Sequence, residues 1–429
     1  MASHDDGTVV SGVYGLIESS RKYDNTLGVP KVLFVGEIHS THAQSWMDML
    51  HGEPIEARAL NLTSTAVPNG YPFPIIGPRR TLPRRSLSAE ATVSSRLVSR
   101  LGTIADASHH LWEKAVFGDR IWQHLLRRVV RDWKPDIIHC FGLLAAGRFV
   151  AQVLGPDDLK NSKLVIQLRG GSDLALNHAD MNLKNDLSNT LRKADAILSD
   201  NALNFQLMER MGLAIKPWPG LERVPGTGGI DIDAEIFKNV DPPSMRQEIF
   251  WPKAYESPWS KGLPILEALR IVWDRIQPFH IHMVMAVNEL PSWVSLLPEA
   301  AQGQITLYGR IPRNQVFKLM RRARVMIAPS LIDGTPNAMW EAMAAGCVPI
   351  VSPLETIVPL VRDNENVIMA RNLYPNEIAD ALARAMLDDS LVDRIAATNK
   401  AVIGQLAGKE TFRPKVLNFY KELASEHRR

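Results

Sequence analysis

The sequence predicts an α/β protein of two doubly wound parallel-sheet domains facing each other across a cleft. Three observations carry that prediction. The chain has 429 residues, whereas a single hydrophobic core rarely grows past roughly 250–300. Short apolar runs alternate with helix-like stretches along most of its length, as expected of parallel strands buried under helices on both faces. The alternation breaks between Pro217 and Pro243, where five prolines and four glycines crowd together, a linker signature.

Residues 1–27 have no clear period and are read as an extension. The first domain spans 28–220. Its first strand is the run Lys31 to Val35, closed by Gly36, with a helix beginning near His42. A helix-like stretch from Leu111 to Trp133 leads into a strand at Ile137 to His139. Strands at Leu164–Leu168 and Ala196–Ser199 follow. After the linker (221–243), the second domain (244–406) restarts with a strand at Glu248–Phe250 and a helix from Leu263 to Ile276. Strands at Ile281–Ala286 and Ile305–Tyr308, a helix at Arg313–Arg322 and a strand at Arg324–Ala328 come next. A helix at Asn337–Ala345, strands at Val348–Val351 and Asn366–Ala370, and helices near Pro375–Leu387 and Ser390–Leu406 complete the domain. A last helix, within 407–429, is expected to pack back on the first domain.

Composition narrows the function. Apolar residues make up 45% and charged residues 22%, ordinary values for a globular enzyme. A net charge of +3 is too small to argue for nucleic acid. The two cysteines, Cys140 and Cys347, lie far apart and form neither a disulfide framework nor a metal-ligand pattern. With no Asp-rich motif either, no metal site and no bound cofactor are expected. No apolar run approaches the ~18 residues that span a bilayer, and Met1 to Gly7 lacks a signal-peptide core. The expectation is a cytoplasmic protein that meets a membrane, if at all, from its inner surface.

In open α/β sheets ligands bind outside the carboxyl ends of the strands, so the loops after strands hold the candidate site. The richest follows the strand Arg324–Ala328. It contains Asp333, Gly334, Thr335, Pro336, Asn337, Ala338 and Met339, with Glu341 one turn inside the next helix. Gly334 lets a ligand approach the main chain. The helix start around Asn337 to Met339 offers free N–H groups that suit a phosphate. The two acids suit hydroxyls, since an ionised carboxylate accepts hydrogen bonds from a sugar-type diol. The plainer reading of Glu341, a charge complementing the helix dipole, has comparable weight on these residues alone.

This stretch resembles the signature of retaining glycosyltransferase family 4, a GT-B fold family of group 1 glycosyltransferases of the glycogen synthase and mannosyltransferase type. That signature has two acids separated by seven residues, then Ala-Met-Ala-x-Gly and a strand with proline. Asp333 and Glu341 take the two acid positions, with Asp333 one carbon shorter than the usual Glu. The resemblance implies two Rossmann-like domains with a nucleotide diphosphate sugar between them. It assigns Glu341 to the donor ribose and Asp333 to the transferred sugar's hydroxyls. Asn337, Ala338 and Met339 would give main-chain contacts, with Gly334 and Thr335 beside them. A Gly-Arg followed by Lys-Gly in relatives neutralises the diphosphate; here Lys261-Gly262 matches the second half, and Lys253 stands near the first. Gly309 and Arg310 fall where relatives frame the base. In the first domain, Ser40-Thr41-His42 resembles a Ser-Pro-His-Thr variant and puts Ser40 and His42 on the acceptor side. Arg169-Gly170-Gly171-Ser172-Asp173 stands where many relatives have His-Gly-x-Asp. Gly170 occupies the His place, Asp173 the Asp place, and Arg169 becomes the candidate substitute.

The expected activity is metal-independent transfer of a sugar with retention, from a nucleotide sugar to a glycan, lipid-linked or small-molecule acceptor, in glycan, glycolipid or envelope biosynthesis. Arg79, Arg80, Arg84 and Arg85 lie in a basic strip with one acid, Glu90, followed by apolar residues at helical spacing. Such a segment is expected to rest on an anionic membrane, to bind a phosphorylated soluble acceptor or to form a solvated loop. Two other readings stay open: another GT-B enzyme such as a nucleotide-sugar epimerase or a phosphorylase, and a non-catalytic nucleotide-sugar-binding partner.

Overall fold

A computed structural model describes residues 28–63, 72–77, 120–287 and 289–428. The expected extension 1–27 and the strip holding Arg79, Arg80, Arg84 and Arg85 lie outside the described residues.

Among the described residues twelve strands form two six-stranded sheets in which every pairing is parallel. The first contains β1 (Lys31–Gly36), β2 (Glu56–Asn61), β3 (Ile75–Ile76), β4 (Ile137–Phe141), β5 (Lys163–Gln167) and β6 (Ala196–Leu198), in the order β3-β2-β1-β4-β5-β6. The second contains β7 (Glu248–Trp251), β8 (His280–Met283), β9 (Ile305–Leu307), β10 (Ala323–Ala328), β11 (Val348–Val351) and β12 (Ile368–Met369), in the order β12-β11-β10-β7-β8-β9. Counted from its own first strand, each sheet has the doubly wound order 3-2-1-4-5-6, with its switch point between the first and fourth strands. The two switch points lie at β1/β4 and β7/β10.

The longer helices are α1 (Thr41–Met49), α2 (Arg120–Trp133), α3 (Arg148–Val153), α4 (Lys184–Arg192), α5 (Leu203–Arg210), α6 (Leu263–Val272), α7 (Arg313–Arg322), α8 (Asn337–Ala344), α9 (Pro375–Leu387), α10 (Asp389–Ala407) and α11 (Lys409–Arg428). They cover both faces of each sheet, which is why the strands read as continuous apolar runs. Along β1, Leu33 and Val35 enter one core while Val32 and Phe34 enter the opposite one. Along β7, Ile249 and Trp251 face one core and Phe250 the other. Among the described residues no helix is long and apolar enough to cross a membrane.

β2 is absent from the sequence expectation. Its residues, Glu-Ala-Arg-Ala-Leu-Asn, are mostly good helix formers, and pairing with β1 on one side and β3 on the other overrides that preference. The helix expected at Leu263–Ile276 stops at Val272 and tightens into a 3₁₀ turn at Trp273–Arg275.

Among the described residues the chain passes between the two halves twice. The first passage runs between α5 and β7; the second is the junction of α10 and α11. The two passages pair with each other: Ile230 N donates to Ala407 O (2.7 Å), and Lys409 N donates to Ile230 O (2.7 Å). Arg223 in the first passage also donates to Leu406 O (2.6 Å). α11 then lies on the first sheet, where Phe412, Val416, Phe419, Tyr420 and Leu423 share a core with Val32, Phe34 and Trp46.

Candidate functional site

A cavity of about 490 Å³ opens between the halves at the carboxyl ends of the strands, a size typical of small-molecule sites. The first half contributes Thr41 and His42 at the start of α1, Gln167, Arg169 and Gly170 at the end of β5, and Asp200 after β6. The second contributes Lys253 after β7, Arg313 at the start of α7, and Asp333, Thr335, Asn337, Ala338 and Glu341 around the start of α8. Gly226 and Thr227 of the first passage complete the wall.

The start of α8 opens onto the cavity. Met339 N and Trp340 N make the first bonds of the helix, onto Pro336 O (3.0 and 3.4 Å). The N–H groups of Asn337 and Ala338 are thereby left at its open mouth, with the positive end of the helix dipole behind them. Lys253 reaches the same place, its Nζ 3.0 Å from Asp333 Oδ2. The charge of Asp333 is the first cause of the raised Lys253 pKa, which keeps the ammonium protonated.

Glu341 is 9% exposed. Burial raises its pKa, and the guanidinium of Arg313 opposes the rise. Arg313 Nη2 donates to Glu341 Oε1 (2.7 Å), while its Nη1 donates to Ser45 Oγ (3.3 Å) on the other half.

Several bonds bridge the halves. Asp200 Oδ2 accepts from Thr335 N (2.9 Å) and Thr335 Oγ1 (3.3 Å). Burial lifts the Asp200 pKa to about 6, the bond from Thr335 N opposes the rise, and the nearby charge of Asp333 adds to it. Gly170 has φ +38° and lies against Gly334; a Cβ on Gly170 would meet Gly334 N at 3.2 Å. This contact explains why no histidine stands at 170: backbone of the other half fills the space a side chain would need.

His42 lines the cleft with part of its surface exposed, and its surroundings lower its pKa to about 4, first by desolvation and then through the charges of Arg169 and Lys253. Asn337 Nδ2 lies 2.9 Å from His42 Nε2. The amide nitrogen has no lone pair to offer, so it donates and the Nε2 atom is unprotonated. Arg169 is held beside Glu37 (3.4 Å) and Ser40 Oγ (3.5 Å).

Of the residues picked from sequence, the cavity gathers Asp333, Glu341, Asn337, Ala338, Thr335, Lys253, Arg169, Gly170 and His42. The others lie elsewhere. Lys261 is outside the cavity wall and pairs with Glu256 (3.0 Å). Gly309 and Arg310 sit on an exposed turn away from the wall, to which Ile311 contributes instead. Met339 is wholly buried in the core beneath α8. Ser40 caps α1 by accepting from Ala43 N (3.4 Å). Asp173, 3% exposed, clips two loops together by accepting from Leu143 N (3.0 Å) and Arg169 N (2.6 Å). Gly334 makes the contact with Gly170 between the halves. Sequence reading passed over Asp200, Arg313, Gln167, Thr227 and Trp259, all of which line the cavity. For Asp200 a signal existed, since it directly follows a strand; Arg313 reads as an ordinary first-turn residue of a helix. Among the described residues no group of three or more His, Cys, Asp or Glu side chains forms a metal cluster.

Residues 249–388 match the family model for Glycosyl transferases group 1. No curated protein sequence matches the chain. Among solved structures, a glycosyltransferase from Rickettsia africae ESF-5 is 13% identical, covering 92% of this chain and 98% of its own, with TM-score 0.58. Anabaena HepE in complex with UDP and glucose is 15% identical over 92% of this chain and 100% of its own, with TM-score 0.63. Sucrose-phosphate synthase from Thermosynechococcus elongatus is 12% identical over 92% and 100%, with TM-score 0.63. At such identities the likeness is one of fold: the chain has the GT-B architecture.

Proposed function

We propose that the protein is a retaining, metal-independent glycosyltransferase that moves a sugar from a nucleotide diphosphate sugar to an acceptor hydroxyl. The observation that carries this reading is the convergence of Asp333, Glu341, Lys253 and the open end of α8 on one cavity between the two sheets. Each group matches one part of such a donor. The N–H groups of Asn337 and Ala338 and the Lys253 ammonium suit the diphosphate. Glu341 suits the ribose diol, and Asp333 the hydroxyls of the transferred sugar. Lys261, paired with Glu256 off the cavity, is replaced in this reading by Lys253. HepE has been seen with UDP-glucose, which makes uridine nucleotides the first donors to try.

In the proposed step the bond between the anomeric carbon and the diphosphate oxygen breaks. The acceptor oxygen attacks on the same face, and its proton passes to the departing diphosphate. Lys253 and the helix mouth stabilise the charge that develops on the leaving group. Arg169 and His42 lie on the first-half wall, where the acceptor would enter. His42, with Nε2 unprotonated and occupied by Asn337, contributes as a neutral hydrogen-bonding group. Closure of the halves keeps water from the donor.

The test is a thermal-shift screen of UDP, GDP and ADP and their sugar derivatives, followed by transfer assays with the donor that stabilises most. Nucleotide should stabilise the wild type, Glu341→Ala should lose most of that effect, and NMR of the product should show retained anomeric configuration. Equal stabilisation of Glu341→Ala rejects the ribose assignment; an inverted product rejects the same-face step.

A further inference from the structure

Behind the first-half wall runs a chain of buried polar groups unused by the reaction just described. Trp46 Nε1 lies 3.0 Å from Tyr420 Oη, and Tyr420 Oη lies 2.6 Å from His139 Nδ1. His139 Nε2 lies 3.2 Å from Gln167 Oε1, and Gln167 Nε2 lies 3.2 Å from Gly226 O. Five elements are joined: α1, α11, β4, β5 and the first passage between the halves.

The direction of every bond is fixed by its two ends. Trp46 Nε1–H can only donate, and the Gly226 carbonyl can only accept. The carbonyl therefore orients the Gln167 amide so that Oε1 faces His139, which must carry its proton on Nε2. His139 is wholly buried and titrates at about 3, well below neutral pH, because burial disfavours its charged form. A neutral ring with Nε2–H has Nδ1 as an acceptor, so Tyr420 donates to it while receiving from Trp46. No link can reverse without leaving a buried group unpaired, which costs roughly 1–3 kcal/mol.

The chain ends at the cavity. Gln167 and Gly226 are part of its wall. The next residue, Thr227, 3% exposed, donates to Asn337 Oδ1 (3.1 Å) at the mouth of α8. We propose that Tyr420 is a positioning residue for the donor cavity: docking of the C-terminal helix sets the place of Gly226 and Thr227, and through them of Asn337. The inference rests on the donor-site reading of that cavity.

Tyr420→Phe removes one hydroxyl and cuts the chain at its centre. Leu423→Ala loosens the same face of α11 without touching the chain, and is the control for simple undocking. Hydrogen–deuterium exchange of segment 224–230 in the free protein is read first. Tyr420→Phe should accelerate exchange there clearly more than Leu423→Ala does. Equal behaviour of the two variants, or an unchanged segment, overturns the inference whatever the cavity binds. Should Tyr420→Phe not fold, Gln167→Met, which cuts the last link, is read by the same exchange measurement. UDP titration calorimetry is read second: affinity should fall about three- to tenfold in Tyr420→Phe, the scale of one net hydrogen bond, and stay near wild type in Leu423→Ala. In turnover assays the donor KM should rise with kcat within about twofold, whereas loss of folded protein lowers apparent kcat and leaves KM in place. A wild type that binds no nucleotide rejects the donor-site reading, and the exchange result still decides on Tyr420.

Discussion

Gly334 backs directly onto Gly170 across the cleft, so closely that a Cβ built on Gly334 would stand 2.4 Å from Gly170 Cα and 2.3 Å from Asp200 Oδ2. The contact lies between a strand-end loop of each sheet and leaves no room for a methyl group. Gly334→Ala should therefore fold within each half yet fail to close. Small-angle scattering should show a larger radius of gyration, and sugar transfer should drop by roughly 100-fold, the cost of misplacing reacting groups by about 1 Å. A wild-type scattering curve with wild-type turnover would remove the contact from the closing mechanism.

In the proposed reaction two lysines compete for the role of neutralising the leaving group, and geometry separates them. Lys253 sits in the cavity 3.0 Å from Asp333, whereas Lys261 is engaged with Glu256. Lys253→Ala should lower kcat by about 10²–10³-fold, as for loss of one electrostatic stabiliser of a transition state. Lys261→Ala should stay within a few-fold of wild type. The reverse ranking in steady-state assays would restore Lys261 to the site.

Arg313 opposes the rise that burial imposes on the Glu341 pKa. Arg313→Ala leaves that rise unopposed. In the proposed donor site ribose binding needs the charged carboxylate, which is lost as pH falls through the raised pKa. UDP affinity of the variant, measured by calorimetry over a descending pH series, should accordingly begin to weaken at a higher pH than that of the wild type. Parallel pH profiles would argue that Arg313 acts on Glu341 through contact alone.

Asp200 has a folded pKa of about 6 against an ordinary 3.8. Between those values the native state holds more protons than the unfolded chain, so stability falls as pH rises through the window and levels off above it. The change from this group is on the order of 3 kcal/mol. Asp200→Asn has no such proton to lose. The thermal stability of the wild type relative to the variant should decline from pH 4 to pH 6 and then run parallel. A constant difference across that range would show that Asp200 is charged throughout.

His42 titrates at about 4, so its ring should stay neutral from pH 5.5 to 8. Its NMR ring-proton shifts should be flat over that range. A midpoint near 6.5 would mean that the Asn337 bond and the neighbouring cations do not hold the ring as described.

Much of the architecture was legible because parallel strands buried on both faces, such as Val32 to Val35, appear as unbroken apolar runs. β2 was not, because alternating alanines and charges carry no strand signal until β1 and β3 flank them. The second half's cavity-lining residues were legible where local sequence builds them, as between Asp333 and Glu341, since one loop and one helix turn fix their spacing. Residues brought in from a distance were not. Asp200 meets Thr335, and Arg313 meets Ser45, only once two sheets face each other. Lys261 differs in the opposite sense: a local Lys-Gly match gave no sign of Glu256, with which it pairs off the cavity wall.

The paired passages at Ile230 and Lys409 also limit how the molecule can move. Two polypeptide crossings laced side by side resist sliding and separation but permit rotation about the line they share. Motion of one half on the other thus reduces to the swing of a door about a fixed jamb. Because Gly226 and Thr227 lie only a few residues from that jamb, such a swing would move them least and the opposite rim of the wall most.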